Sequence, residues 1–111
     1  MATKTMIMSP ELSPAMRTLV QRAQPMVEHA MGHAAGRVEV AWERGPEVFE
    51  PTVLLRLNDA GVQGVQEFPL SQLSQESFFR WQVNKLWDAV LSDRIRIARE
   101  AVHQDLASSE V

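Results

Sequence analysis

His29 and His33 lie four residues apart with Glu28 adjacent, the spacing that sets two imidazoles on one helical face as in zinc-binding helices. Both fall on the polar side of a helix-period pattern near its C-terminal end, where a histidine interacts favourably with the helix dipole and is exposed at no cost. His103 would have to be the third ligand, and nothing in the pattern brings the two helix ends together. The reading is of solvated side chains, with no metal and no cofactor. The densest acids are Glu39, Glu43, Glu47 and Glu50, but catalysis by paired carboxylates needs two carboxyls in a shared cleft with separated pKa values. Glu39 and Glu43 fall instead on the outward side of a two-residue alternation, where charge keeps a strand solvated. Gly61-Val-Gln-Gly64 lacks the lysine and the following helix of a phosphate loop, and no serine sits in a Gly-x-Ser-x-Gly elbow. The chain has no cysteine, which removes thiolate nucleophiles, disulfides and sulfur-ligated zinc. These residues point to a protein that is not an enzyme.

Two clusters late in the chain remain. Arg94, Arg96 and Arg99 sit in Asp93-Arg-Ile-Arg-Ile-Ala-Arg99, preceded by Arg80 and Lys85, and a phosphate-contacting helix could look like this. Against that, these five basic residues are matched by five acids, Asp88, Asp93, Glu100, Asp105 and Glu110, the mixture typical of solvated i,i+4 networks. The whole chain carries 11 Lys+Arg against 14 Asp+Glu for a formal charge of -3, which disfavours a surface built to coat nucleic acid or anionic lipid. The second cluster is aromatic: Phe78, Phe79, Trp81 and Trp87 lie within ten residues, more ring area than one stripe of one helix needs. Phe78 and Trp81 point off the core stripe, and exposed aromatics are enriched at interfaces.

The elements that position these residues follow from periodicity. A chain of 111 residues, 45% of them hydrophobic, is one domain. Ser13-Pro14 reads as an N-cap followed by proline at the first helical position. From there Met16, Leu19, Val20, Ala23, Val27, Ala30, Met31 and Ala34 share one stripe, so a helix is expected from Pro14 to Ala35, bent at Pro25 and stopped at Gly36, with Gly32 an alternative stop. Val38, Val40 and Trp42 then alternate with polar neighbours, Val53, Leu55 and Leu57 follow, and Val62 to Phe68 reads as a third strand with a bulge at Gly64. Asn58-Asp59-Ala60-Gly61 is the turn between the last two, and short connections favour an antiparallel meander.

A long helix is expected from Gln75 to about Gln104, with Phe79, Val83, Leu86, Trp87 and Val90 on its early stripe. The later apolar residues Leu91, Ile95, Ala98 and Val102 are rotated by about a third of a turn, so they serve a second face. About thirty helical residues span ~45 Å whereas a six-residue strand covers ~20 Å, so the helix overhangs the sheet unless it breaks near Ser92-Asp93. Residues 1–12 are expected to be a flexible N-terminus and 106–111 a disordered tail around a single domain of residues 13–105.

The expected class is α+β: two layers, in the order helix, three-stranded antiparallel meander, long helix. In element order and length the chain is similar to double-stranded-RNA-binding domains and to small bacterial nucleoid-associated proteins. It departs from the former at the start of the last helix, where Ser74-Gln-Glu-Ser-Phe-Phe stands in place of a lysine-rich segment. The expected function is a non-catalytic interaction or regulatory module, homodimeric through the last helix, with Phe78, Trp81, Leu91, Ile95, Ala98 and Val102 as interface residues. A protein partner is the other occupant that surface admits. The alternative is a nucleic-acid-associated dimer using Arg94, Arg96 and Arg99. No signal-peptide core and no run of apolar residues approaching the ~18 of a membrane span is present, so a cytoplasmic location is expected.

Overall fold

The Ser13 hydroxyl accepts the Met16 amide at 3.2 Å and Pro14 takes the first helical position, so α1 (Pro14–Met31) begins where its cap chemistry dictates. The computed structural model describes residues 6–46 and 49–109, with side chains through residue 104. Met16, Val20, Ala23, Val27 and Met31 form one buried face that keeps phase across the exposed Pro25, so a single α-helix carries the stripe through the proline. The helix ends at Gly32 and not at Gly36. Gly32 adopts φ 58°, its N–H donates back to the Glu28 and His29 carbonyls, and the chain continues to Gly36 as a 3-10 turn.

The meander forms in the expected order as β2 (Glu39–Arg44), β3 (Thr52–Asp59) and β4 (Val62–Pro69), with Val40 opposite Leu57 and Trp42 opposite Leu55. Ala60 and Gly61 both take positive φ, 54° and 88°, and the Asn58 side chain accepts the Gly61 amide at 3.0 Å. Two consecutive positive φ values give the tight β3–β4 hairpin a twist that matches its strands. Val40, Trp42, Val53, Leu55, Leu57 and Phe68 point inward onto the helices, and Phe79 packs its ring against Phe68 (centroids 5.0 Å apart) and Trp42 (6.5 Å).

Two expectations are corrected. The sheet has four strands and not three: β1 (Met6–Met8), within the segment expected to be flexible, pairs parallel to β2, making a mixed sheet in the order β1-β2-β3-β4. It satisfies the backbone groups that the outer edge of β2 would leave unpaired, α1 supplies the crossover that a parallel pair requires, and Leu12 is buried just before α1. Residues 1–5 lie outside the described residues. Nor is Gly64 a bulge, because the β3–β4 register runs unbroken through Leu57 opposite Gly64. The glycine is there for α3 (Glu76–Ser109), since a Cβ at Gly64 would fall 2.7 Å from Val90 Cγ2 and 3.0 Å from Leu86 Cδ1.

A short helix α2 (Leu70–Leu73) buries Leu73 and leads into α3, which seats Phe79, Val83, Leu86, Trp87 and Val90 in the core. No break occurs at Ser92-Asp93. The backbone stays helical to Ser109, past the expected end at Gln104 and into the segment expected to be disordered, whose last residues 110–111 lie outside the described part. A 34-residue helix on a short sheet gives the molecule its length, 59 × 32 × 26 Å. No helix among the described residues is long and apolar enough to cross a membrane.

Gly64→Ala is expected to destabilise the fold by about 1–3 kcal/mol through overpacking against a stiff valine. Combining it with Val90→Ala should cost less than the sum of the two single changes in a urea-unfolding cycle. Strict additivity would contradict the close approach.

Candidate interaction surface on the last helix

Where α3 leaves the sheet it is held by charge. Asp59 ends β3 with its side chain 1% exposed, receives Arg37 Nε at 3.2 Å and Nη2 at 3.3 Å, and receives Arg94 Nη1 from α3 at 2.9 Å. Burial pushes the Asp59 carboxyl up, but hydrogen bonds and charge from Arg37 and Arg94 outweigh it and hold the carboxyl below its ordinary value. Arg94, expected from the sequence as a candidate phosphate contact, thus ties α3 to the β3–β4 hairpin.

Beyond Arg94 every residue through Gln104 is exposed. Ile95 is 54% and Val102 59% accessible, high enough that neither belongs to the core. With Ala98 and the half-buried Leu91 they form a stripe at spacings of four, three and four residues, along which Ile95, Ala98, Arg99, Val102 and His103 line a shallow open depression. Arg96 lies off this stripe, pairing with Glu100 at 3.2 Å and Asp93 at 3.7 Å. Among the described residues Arg99 makes no ion pair. Of the three arginines expected to act together, two are therefore matched to carboxylates.

The aromatic part of the expected interface is a separate patch. Phe78 and Trp81 are exposed and pack on each other, centroids 6.1 Å apart, with Lys85 Nζ 4.4 Å above the Trp81 ring. Trp81 is about four turns from Ile95, so the structure brings Phe78 together with Trp81 and Leu91 together with Ile95, Ala98 and Val102, but not the two groups.

The remaining candidates scatter. His29 lies in the last turn of α1 and His33 in the 3-10 turn, both exposed, and the helix stop at Gly32 breaks the single face that their spacing implied. Among the described residues no group of three or more His, Asp or Glu is arranged to hold a metal ion. Glu43 pairs with Arg56 at 3.2 Å, Glu39 accepts from Asn58 at 3.4 Å, and both lie on the sheet face away from the helices. Glu50 is exposed, and Glu47 lies outside the described residues. Three features were not anticipated. Asp59 read as a turn former, although as the acid within Asn58-Asp59-Ala60-Gly61 it can also present a carboxylate to basic neighbours. Ile97, 46% accessible, continues the line of Val90 and Arg94 one turn past the sheet. Trp42 donates its indole N–H to Gln24 Oε1 at 2.8 Å inside the core, leaving Gln24 Nε2 without a partner among the described residues.

No protein-family model, no curated protein and no solved structure matches the chain. The likeness in element order to nucleic-acid-binding domains stands without support from these comparisons.

Asp59→Asn should cost about 1–2 kcal/mol, less than a fully buried pair because both arginines reach water. A lowered folded-state pKa favours the ionised form, so this stability is present above the unfolded carboxyl value near ~3.9 and is lost as pH falls through the folded value. Urea midpoints for wild type and variant should therefore differ by a constant amount from about pH 5 to 7 and converge below about pH 4. A difference that grows toward acid would contradict the assignment.

Proposed function

We propose that the protein is a non-catalytic interaction module that self-associates as a homodimer through the overhanging half of α3. One observation carries the reading: the apolar stripe that starts at the half-buried Leu91 continues through Ile95, Ala98 and Val102 past the sheet, where these three are exposed with no other element of the described chain over them. The overhang continues a helix already nucleated on the sheet, but beyond Arg94 it lacks the tertiary packing that supplies most helical stability in proteins, and contact along its side would add it. The ion pairs of Arg96 with Asp93 and Glu100 sit off the stripe, leaving its apolar side open to a partner. A second copy is the commonest way for a small soluble chain to cover such a patch. The nucleic-acid reading has no comparable support, because Arg94 and Arg96 are engaged with Asp59, Asp93 and Glu100.

Ile95→Glu and Val102→Glu are each expected to halve the mass in solution while leaving the urea-derived unfolding free energy of the domain within about 0.5 kcal/mol of that of wild type diluted to monomer, as for an exposed position. Ile7→Glu, on the open sheet face, should leave the mass unchanged. Sedimentation equilibrium reads all three. A wild-type monomer at ~100 micromolar, where an interface of standard size and sub-micromolar affinity would persist, contradicts the proposal.

A further inference from the structure

We propose that the two overhangs pair antiparallel about a two-fold axis level with residues 96 and 97, Leu91 of each copy against Val102 of the other and Ile95 against Ala98. This rests on the dimer proposed above and adds its direction and register. The four-three-four spacing of Leu91, Ile95, Ala98 and Val102 is that of a coiled-coil seam, and the residues flanking such a seam decide its direction. On one side lie Arg94 and Ala101, on the other Ser92 and Arg99. Parallel helices bring opposite flanks together, which sets Arg94 of each copy against Arg99 of the other, a like-charge contact made twice. Arg94 cannot swing away without giving up its 2.9 Å bond to buried Asp59.

Antiparallel helices bring each flank against its own counterpart. Arg94 then meets Ala101 and Arg99 meets Ser92, and neither arginine faces a cation. Size agrees with charge, since both seam pairs match a larger side chain with a smaller one, leucine with valine and isoleucine with alanine. Sliding by one heptad in either direction replaces one of these apolar pairs with Asp88 or Asp105 against an apolar residue. The chosen register does set Asp88 level with Asp105 of the other copy, but at the solvated ends of the pairing, where salt screens the repulsion. The parallel alternative has the same cost, with Asp88 facing Asp88. The two sheets end up at opposite ends of a shared helical bridge.

The chain has no cysteine, so introduced ones report pairing without background. Leu91→Cys and Val102→Cys are made as separate variants, checked for native circular dichroism and dimeric mass, then oxidised alone and as an equimolar mixture. A disulfide needs Cα atoms within about 7 Å, and in the antiparallel register two copies of position 102 are about 16 Å apart along the axis. The mixture should therefore form the disulfide joining position 91 of one copy to position 102 of the other at least ~10-fold faster than either variant links to itself. Rapid self-linking at position 102 overturns the antiparallel direction while leaving the dimer standing. A dimeric mass with no linkage of any pair overturns the register, and a monomeric mass overturns the dimer itself.

Discussion

At Gly64 the absence of a side chain lets Leu86 and Val90 of α3 settle directly onto β4, and one turn later Arg94 reaches the buried Asp59 at 2.9 Å. These two contacts fix both the height and the rotation of α3 over the sheet. A glycine elsewhere in β4 would leave a gap under the helix, and a larger residue at 64 would lift it away from Phe68 and Leu57. Because a helix is stiff over a few turns, the rotation set at Val90 also sets which residues face outward beyond the sheet. The line through Val90 and Arg94 looks toward the core, and the stripe that begins at the half-buried Leu91 is carried about a third of a turn to the side, so that Ile95, Ala98 and Val102 face away from the body. The exposure of Ile95 and Val102 is thus a consequence of how α3 is seated and not an accident of a frayed end.

Charge and apolar surface divide the work along α3. Up to Val90 the helix is stabilised by burial, at Arg94 by a carboxylate held ionised between two guanidinium groups, and beyond that by local ion pairs on one side only. Exposed i,i+4 pairs contribute about 0.3–0.5 kcal/mol each, too little to hold several turns of helix in water alone. Packing against a second copy, as proposed above, would add tertiary stabilisation to this stretch.

Much of this was legible along the chain where the signal is local. The stripe from Met16 to Met31 kept its phase through Pro25, the alternation at Val38, Val40 and Trp42 marked an inward face, and Asn58 to Gly61 announced a hairpin. The rotation of apolar residues after Val90 pointed to Ile95, Ala98 and Val102 as outward-facing. What escaped was non-local. Three residues of β1 have no period of their own and become a strand only because β2 offers an edge. Gly64 looked like an interruption because its cause, a valine on a helix, lies far along the chain. Arg94 and Arg96 look alike in sequence, yet one reaches buried Asp59 and the other only exposed acids of its own helix, a difference set by helix rotation relative to a hairpin.

The proposed dimer predicts that a second copy stabilises the end of α3, and amide hydrogen exchange as a function of protein concentration reads that dependence. Amides in β3 should exchange through global opening, while those of residues 98–104 should be slow at high concentration and lose protection on dilution through the dimer's dissociation constant. Protection at 98–104 that is the same at every concentration, whether high or low, would contradict the account.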